Sequence, residues 1–523
     1  MPTFLKILLL AAFLNCLSWI ILVPLWQYSD EPAHFSQVQD IAEIGSVSVN
    51  TPNTSAEIIN TEAIVGTLRD TSGNNKYVYH PQYHPEYSKT TMGLKENEIL
   101  MIGKSERTNF VKSEATTNPP MYYLGASIFY KAFYNADIFT RVYAVRFFSA
   151  LLFVALVFVS FKCAQIIFKQ TLLVYSLAAL MAFKPMLTFA STGVLPDPLT
   201  NLLFSIVLYL CLLIIKNGIN RKYLLFLIIT VVIGLYTRQQ FLLSIPIIFV
   251  ALFLDVFFKK RGLKWVIIPL AALLLLIVIS NYFSNVPIFN SLHIPEFLLF
   301  EFNKYLKPEF FSYMVSAMHK SYAETWPWYW GVYKWLSFTP PHLIYEIINR
   351  IVLVCVLGLL FKIFQTIRKK KFDQQFIILM FMILSVAIYF SAFILWDYFF
   401  QQHKGYSFGF QGRYFFPMIT FSLSLLLTGF WQVAQLLRIY AKYALVGLIL
   451  LMVAFNDVTL ATLSATYYSF ANLSDFVTQA SQYKPLFFKG NTIVLILTLN
   501  LVTQAFVITK YTQLVIKNHE SNN

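Results

Sequence analysis

Charged residues are scarce in this 523-residue chain, at 12%, while hydrophobic residues make up 57%. Soluble globular domains typically carry about 25% charged residues, so this composition excludes an ordinary soluble protein. Acidic residues are the scarcer sign, 25 against 40 basic ones. The bases fall in short breaks between apolar runs, a pattern that favours the cytoplasmic loops of a membrane protein over a nucleic-acid-binding surface.

Cysteine is also rare. The four cysteines, Cys16, Cys163, Cys211 and Cys355, all lie inside apolar runs, where a free thiol behaves as a small hydrophobic side chain. They form no CxxC pair, so the sequence predicts neither a disulfide framework nor a cysteine metal site.

Long apolar runs dominate the chain instead. A helix needs about 20 apolar residues to cross a bilayer core. About twelve runs approach that length, at 4–25, 142–168, 172–190, 199–215, 223–236, 241–258, 265–283, 347–364, 376–399, 414–437, 443–463 and 492–509. The first run carries no small-x-small cleavage site after it, so we interpret it as a retained helix rather than a signal peptide. The predicted fold class is an all-α polytopic membrane protein, with 1–523 forming a single integral membrane domain.

The basic residues predict how the chain lies in the membrane. Lysine and arginine cluster in alternate breaks, as at 216–222 and 368–371. The positive-inside rule places these breaks and both termini in the cytoplasm. The long loops at 26–141, 284–346 and 464–491 then face outward. Within the first loop, Pro119-Pro120 predicts the start of a short interfacial helix that continues to Tyr130.

Two adjacent carboxylates and a histidine follow the first run, in Asp30-Glu31-Pro32-Ala33-His34. They stand where an outward-facing aqueous site would meet the bilayer surface, and ionisable groups near a membrane boundary are functional candidates. We expect Asp30, or else Glu31, to be a catalytic base, with His34 as a substrate contact. The three side chains are also candidates for holding a divalent metal, but hydrogen bonding at a helix start explains them at least as well, so we predict no cofactor.

Three further candidates lie near the outer ends of early runs. Asp197 follows Pro196 in a turn, where it either caps the next helix or faces the same cavity as Asp30. Arg238 occupies a tight outer turn and either reaches lipid headgroups or binds a substrate phosphate. Lys184 precedes Pro185, which can bend a helix, and a lysine at that depth is costly without an anionic partner.

Two aromatic segments complete the candidate site. Trp326 to Trp335 suits either a membrane-interface belt or a platform for a sugar or prenyl group, and we take Lys334 and Trp335 as candidate substrate contacts. Gln411-Gly412-Arg413-Tyr414 precedes a late run. Its glycine permits close backbone approach, and a guanidinium matches phosphate oxygens through a planar fork.

These motifs occur together and in order: the Asp-Glu-Pro-x-His segment, Pro-Pro-x-Tyr-Tyr with Tyr122 and Tyr123, the Pro-Asp turn, the Trp-Gly segment, and Gln-Gly-Arg-Tyr-x-x-Pro. The chain resembles a family of uncharacterised bacterial polytopic membrane proteins, domain of unknown function 2142, in the GT-C glycosyltransferase superfamily. The resemblance runs from about Trp26 to Pro417. It implies a GT-C-like bundle in a bacterial cytoplasmic membrane and transfer of a sugar from a polyprenyl-phosphate donor to an extracytoplasmic glycan, lipid or protein acceptor.

The same resemblance maps the family's acidic pair onto Asp30 and Glu31, its second acid onto Asp197 and its late arginine onto Arg413. Arg238 stands where a lysine is commoner. A carboxylate that takes the acceptor proton and an arginine that stabilises the departing phosphate would give an inverting displacement. The alternative function is a multispan transporter or lipid flippase, since about twelve spans is also a common transporter count. Two halves related by pseudo-symmetry would favour that alternative.

Overall fold

The computed structural model describes residues 3–45, 53–68, 92–112, 118–259, 308–370, 372–407 and 409–520, with isolated positions at 85, 87, 262, 267, 271 and 275. Within those ranges the regular structure is almost entirely helical. In chain order the α-helices are α1 (Thr3–Leu22), α2 (Glu31–Ile44), α3 (Ala56–Val65), α4 (Met92–Leu100), α5 (Met121–Ala132), α6 (Ile138–Ile167), α7 (Thr171–Phe183), α8 (Pro185–Ala190), α9 (Asp197–Asn217), α10 (Arg221–Leu235), α11 (Ser244–Lys259), α12 (Pro308–Lys320), α13 (Trp326–Trp330), α14 (His342–Arg368), α15 (Gln374–Lys404), α16 (Ile419–Ala434), α17 (Ala441–Tyr467), α18 (Leu473–Ala480) and α19 (Asn491–Glu520).

Nine helices of the described chain are long and apolar enough to cross a membrane. They are α1, α6, α9, α14, α15, α17 and α19, together with α11 and α16, each of which is extended by a preceding 3-10 turn. Helix α10 is shorter, and the run predicted at 172–190 is divided into α7 and α8. The run predicted at 265–283 lies outside the continuously described residues. The chain is therefore an all-α polytopic membrane protein, as its composition predicts.

The helices alternate in direction, which gives the bundle two distinct ends. Helix α1 ends, and α6 and α9 begin, at the end that carries Arg413; we call it the Arg413 end. The opposite end, which we call the basic end, holds the last residues of α6 and α14 and the first residues of α7 and α15. Lys216, Arg221, Lys222 and Arg368 all lie at the basic end, so the helix order places these two lysine- and arginine-rich breaks at the same end of the bundle.

Short capped elements build the first long loop. Ser55 accepts a hydrogen bond from the Ile58 amide to start α3, and Gly66 ends that helix in the left-handed conformation. The strands β1 (Asn53–Ser55) and β2 (Phe110–Lys112) pair antiparallel, with Thr54 opposite Val111. Helix α5 begins directly after Pro120 and spans the segment where a helix is predicted. The sequence did not predict this small sheet, whose strands have only three residues each.

A buried polar network ties the first loop to the bundle. Arg141, in the first turn of α6, forms an ion pair with Glu57 of α3 and donates a hydrogen bond to the hydroxyl of Tyr130 in α5. Gln39 of α2 donates to Glu57 at 2.7 Å. Because these side chains come from four different helices, the loop is held as a folded cap on the Arg413 end.

Two glycines allow helices α14 and α16 to pack closely. A Cβ at Gly429 would overlap the carbonyl of Cys355, and a Cβ at Gly358 would overlap the carbonyl of Gly429. Small residues at such crossings let two backbones approach in a membrane, where close packing rather than hydrophobic burial holds helices together.

Substitution of Gly429 by alanine should therefore destabilise the protein. The added methyl group forces the α14 and α16 backbones apart, and overpacking of this kind costs about 1–3 kcal/mol. The check is a thermal stability assay on detergent-solubilised protein. It measures the temperature at which half of the monodisperse size-exclusion peak is lost. The matched control is Gly447→Ala in α17, where a Cβ meets nothing within 4 Å; this variant should be as stable as the wild type. An equal loss in both variants would contradict the close-packing explanation.

Candidate active site

Four charged side chains from four separate segments meet at the Arg413 end. Arg413 Nη2 lies 3.4 Å from Asp30 Oδ2, and Arg413 Nη1 lies 3.8 Å from Asp197 Oδ2. Arg238 donates a hydrogen bond to the other oxygen of Asp197. The structure thus brings together four residues that the sequence indicated as separate candidates. We refer to them as the four-charge cluster.

The backbone at Asp30 determines which acid enters this cluster. Asp30 precedes the first residue of α2 and adopts a left-handed conformation with φ 57°. Trp26, four residues earlier, is also left-handed with φ 61°. Such conformations are costly for residues with a Cβ and persist only where the surroundings impose them, often at functional sites. This double bend leaves the Asp30 side chain 37% exposed, while Glu31 is completely buried.

Glu31 binds to Arg146 of α6 instead of joining the four-charge cluster. The guanidinium Nε and Nη2 lie 2.8 and 2.6 Å from the two carboxylate oxygens. The backbone amides of Trp26 and Val194 donate to the same carboxylate. Arg146 also donates to the carbonyls of Val23 and Pro24, both at 2.9 Å. Glu31 therefore fixes the bend between α1 and α2, which places Asp30.

Asp197 is the first residue of α9, and its carboxylate interacts with arginines rather than capping the helix. The hydroxyl of Tyr122 positions the preceding turn, because it accepts a hydrogen bond from the Leu195 amide and pairs with Ser149 Oγ at 2.7 Å. Of the two alternatives left open by the sequence, the structure favours the second: Asp197 faces the same cluster as Asp30.

Arg413 is held in place by neighbours on its own segment. Its Nε donates to Gln411 Oε1 at 2.8 Å, and its guanidinium lies 5.5 Å from the centre of the Tyr414 ring. Arg238 lies over the same ring at 5.2 Å. A side chain at Gly412 would overlap the backbone of Tyr329, so only glycine permits this close approach.

His34 lies beside the cluster as a neutral side chain. Its Nδ1 is 2.7 Å from the hydroxyl of Tyr123, on α5. Burial lowers the pKa of His34 to about 4, although the nearby carboxylates of Asp30 and Asp197 act in the opposite direction. A neutral imidazole at pH 7 suits hydrogen bonding to a substrate better than charge pairing.

Lys184 marks the break between α7 and α8, where Pro185 starts a new helix. Its Nζ donates to the carbonyl of Tyr329 at 2.8 Å and lies 3.8 Å from the ring centre of Trp330. Aromatic faces and a carbonyl thus surround this buried amine. Lys184 supports the segment that packs on Gly412, and Trp330 of that segment is buried.

Lys334 and Trp335 contact the scaffold next to the site. Lys334, Trp335 and Leu336 are left-handed in succession. The Lys334 ammonium donates to the carbonyl of Thr466, and the Trp335 indole donates to the carbonyl of Trp26 at 3.1 Å. Burial lowers the pKa of Lys334 to about 8. These contacts brace the bend that precedes Asp30.

Sequence reasoning missed the partners that hold the site together. Arg146 lies within the apolar run 142–168. A charged residue inside a spanning run normally has a partner, so this arginine could have been recognised as a member of a buried ion pair. Gln240, which donates to the carbonyl of Tyr414 at 2.8 Å, gave no such signal. Within the described ranges, no three side chains among His, Cys, Asp and Glu are grouped so that they could hold a metal ion.

Comparisons with known proteins give one family and a set of structural neighbours. The sequence pattern of the family described as "Predicted membrane protein (DUF2142)" matches residues 13–422. Similar solved structures include the apo form of an oligosaccharyltransferase from Archaeoglobus fulgidus, at 12% identity and a TM-score of 0.42. The match covers 92% of this chain and 56% of the oligosaccharyltransferase chain. Another is the oligosaccharyltransferase AglB from the same organism with an inhibitory peptide and a dolichol-phosphate, at 12% identity and a TM-score of 0.39, matching 89% and 56%. The chain spans just over half the length of these proteins, and no curated protein matches it.

The Glu31–Arg146 pair should matter for folding more than the neighbouring Asp30. Glu31→Ala leaves a buried guanidinium without its counter-charge, a change that typically costs 3–5 kcal/mol. We expect this variant to lose most of its folded yield in detergent, measured by fluorescence-detected size-exclusion chromatography. Asp30→Asn, at the adjacent position, is the control and should elute like the wild type. A well-folded Glu31→Ala protein would show that the ion pair does not hold the bend.

Proposed function

This chain belongs to the DUF2142 family of predicted membrane proteins, and we propose that it is an inverting membrane glycosyltransferase. In this proposal it moves a sugar from a polyprenyl-phosphate donor to an extracytoplasmic acceptor during synthesis of cell-envelope glycans. The observation that carries the proposal is the four-charge cluster, which places a partly exposed carboxylate beside two arginines at one end of a membrane bundle.

The charges of the cluster are balanced in the absence of substrate. Asp30 and Asp197 supply two carboxylates, and Arg238 and Arg413 supply two guanidinium groups. A donor phosphate would compete with the carboxylates for the arginines, because guanidinium forms paired hydrogen bonds with phosphate oxygens. Both contacts of Arg413 with carboxylates, at 3.4 Å to Asp30 and 3.8 Å to Asp197, are long for charge-assisted hydrogen bonds, so a phosphate could displace either of them. Displacement of the first would release Asp30 toward the acceptor.

The chemical step then needs only groups of this site. Asp30 removes the proton from an acceptor hydroxyl while that oxygen bonds to the anomeric carbon. The bond between the anomeric carbon and the phosphate oxygen breaks, and its electron pair stays on the lipid phosphate. Arg413 and Arg238 stabilise the added negative charge. A single displacement inverts the configuration at the anomeric carbon.

The surrounding geometry assigns different work to the other acids. Glu31 is engaged by Arg146 and two backbone amides, so we assign it to positioning rather than proton transfer. Asp197 contacts both arginines and keeps their side chains next to each other. His34, Tyr123 and Gln411 lie close enough to the cluster to contact the sugar or its phosphate.

The orientation of the protein belongs to the same proposal. Since the lysine-rich breaks share the basic end, the positive-inside rule puts that end in the cytoplasm. The four-charge cluster would then face the extracytoplasmic side of a bacterial cytoplasmic membrane, where lipid-linked sugars meet their acceptors.

Asp30→Asn should abolish sugar transfer while the protein still folds and inserts. The asparagine keeps the shape of the side chain but cannot take the proton. The measurement is mass spectrometry of surface glycans and lipid-linked sugars from cells that express either the wild type or the variant in place of the native gene. We expect loss of one sugar from a glycan and accumulation of its lipid-linked donor. Glu98→Gln, on the exposed side of α4, is the control and should leave both pools unchanged.

The location of the accumulated donor separates transferase from flippase. In a transferase mutant the donor builds up on the outer leaflet, where periodate applied to intact cells oxidises it. If the donor is protected from periodate, it has remained on the inner leaflet, and a flippase role replaces the proposal. Unchanged glycans in cells that carry Asp30→Asn would remove Asp30 as the base.

Arg413 should act mainly on the donor. Arg413→Ala should cost roughly 2–5 kcal/mol in the donor kcat/KM, because it removes one side of a desolvated charge pair. Arg413→Lys keeps the charge but not the planar fork, so it should impair donor use more than acceptor use. Arg238→Ala should produce a smaller loss. The check is donor- and acceptor-dependence kinetics in nanodiscs, with Arg350→Ala as the control because Arg350 is 75% exposed on α14. Unchanged donor kinetics for Arg413→Ala would reduce Arg413 to a structural role.

A further inference from the structure

A cavity of about 320 Å³ lies at the basic end, far from the four-charge cluster. It opens where α6 passes into α7, beside the end of α14, the start of α15 and the end of α16. The cavity and Arg413 lie near opposite ends of α16 and its preceding 3-10 turn. With a rise of about 1.5 Å per α-helical residue and 2 Å per 3-10 residue, this separation is roughly 30 Å. The proposed transfer reaction uses none of the residues that line the cavity.

The lining of the cavity changes from polar to apolar along the helix axes. On α15, Gln375 lies near the opening, and Leu379 and Met382 follow one and two turns deeper. At the start of α7, Gln170 lies near the opening and Leu173 about one turn deeper. The deeper hydroxyl of Thr428 already donates to a backbone carbonyl of its own helix. This order matches an amphiphile whose headgroup stays at the membrane surface while a hydrocarbon chain enters between the helices.

The charges at the opening select the headgroup. Lys169, just after α6, and Lys362, near the end of α14, both line the cavity and are exposed. The one carboxylate of the lining, Asp373, already accepts a hydrogen bond from the Phe376 amide at 3.1 Å as the cap of α15. Its charge is partly satisfied there, so the opening presents two lysines and several amides to a ligand.

We propose that this cavity binds an anionic phospholipid. The phosphate would lie between Lys169 and Lys362, and one acyl chain would extend along α15 toward Met382. Basic pockets between membrane helices favour anionic headgroups, because lysines there attract the phosphate. The occupied site would brace the junction between α6 and α7.

The test compares lipids that share acyl chains and differ in charge. Full-length protein in detergent is titrated with dioleoyl-phosphatidylglycerol, dioleoyl-phosphatidylcholine or inorganic phosphate, and binding is read by native mass spectrometry and by the thermal midpoint. We expect phosphatidylglycerol to bind and to raise the midpoint, and the other two to do neither. The double variant K169A/K362A should weaken phosphatidylglycerol binding roughly tenfold to thirtyfold.

The control removes two charges from the same end but outside the cavity. Arg221 and Lys222 lie exposed at the start of α10 and do not line it, so R221A/K222A should bind phosphatidylglycerol like the wild type. An equal loss in both double variants would show that general charge, not the cavity, attracts the lipid, and would overturn the proposal. Equal binding of phosphatidylcholine, or saturation by inorganic phosphate at the same concentration, would also overturn it.

Discussion

The site at the Arg413 end depends on one buried ion pair, between Glu31 and Arg146. Removing two such ions from water costs several kcal/mol per ion, so the pair is stable only if every remaining polar group is satisfied. Arg146 meets that condition: it donates twice to Glu31 and to the carbonyls of Ile20, Val23 and Pro24. Those carbonyls belong to the last turn of α1 and the residues just after it, and they need donors because the helix stops there.

This single interaction has consequences for the chemistry. It ends α1, directs the chain into α2 and leaves Asp30 in a left-handed conformation with its carboxylate toward Arg413. Glu31 also binds the amide of Val194, so the turn that leads into Asp197 is fixed by the same carboxylate. Two acids adjacent in sequence are thus separated in function, one buried as a structural anion and the other presented at the surface of the site.

The two ends of the bundle use charge in different ways. At the Arg413 end, acids and bases are balanced within contact distance, and a substrate phosphate would have to redistribute those contacts. At the basic end, exposed lysines and arginines greatly outnumber acids, which suits a surface facing anionic lipid headgroups. Screening by salt is weak for the buried contacts of the first end and strong for the exposed charges of the second.

Much of the fold could be predicted from composition and periodicity. Runs of about 20 apolar residues can cross a bilayer only as helices, because no water is present to satisfy the backbone. The spanning helices were therefore predictable. The helix after Pro119-Pro120 was predictable from local sequence alone. Of the site, the residue types at Asp30, Asp197, Arg238 and Arg413 were evident, because charges beside apolar runs are expensive and therefore informative.

Only the tertiary structure decided how these residues are paired. The sequence favoured Asp30 over Glu31 as the base but did not show that Glu31 is buried against Arg146, which lies within an apolar run 115 residues from its partner. It did not predict that Lys184 is surrounded by aromatic rings, or that Lys334 and Trp335 brace the bend instead of joining the cluster. Local sequence determines which segments are helical, because hydrogen bonds within a helix join residues four apart. The partner of a buried charge is determined by helix packing across the whole chain.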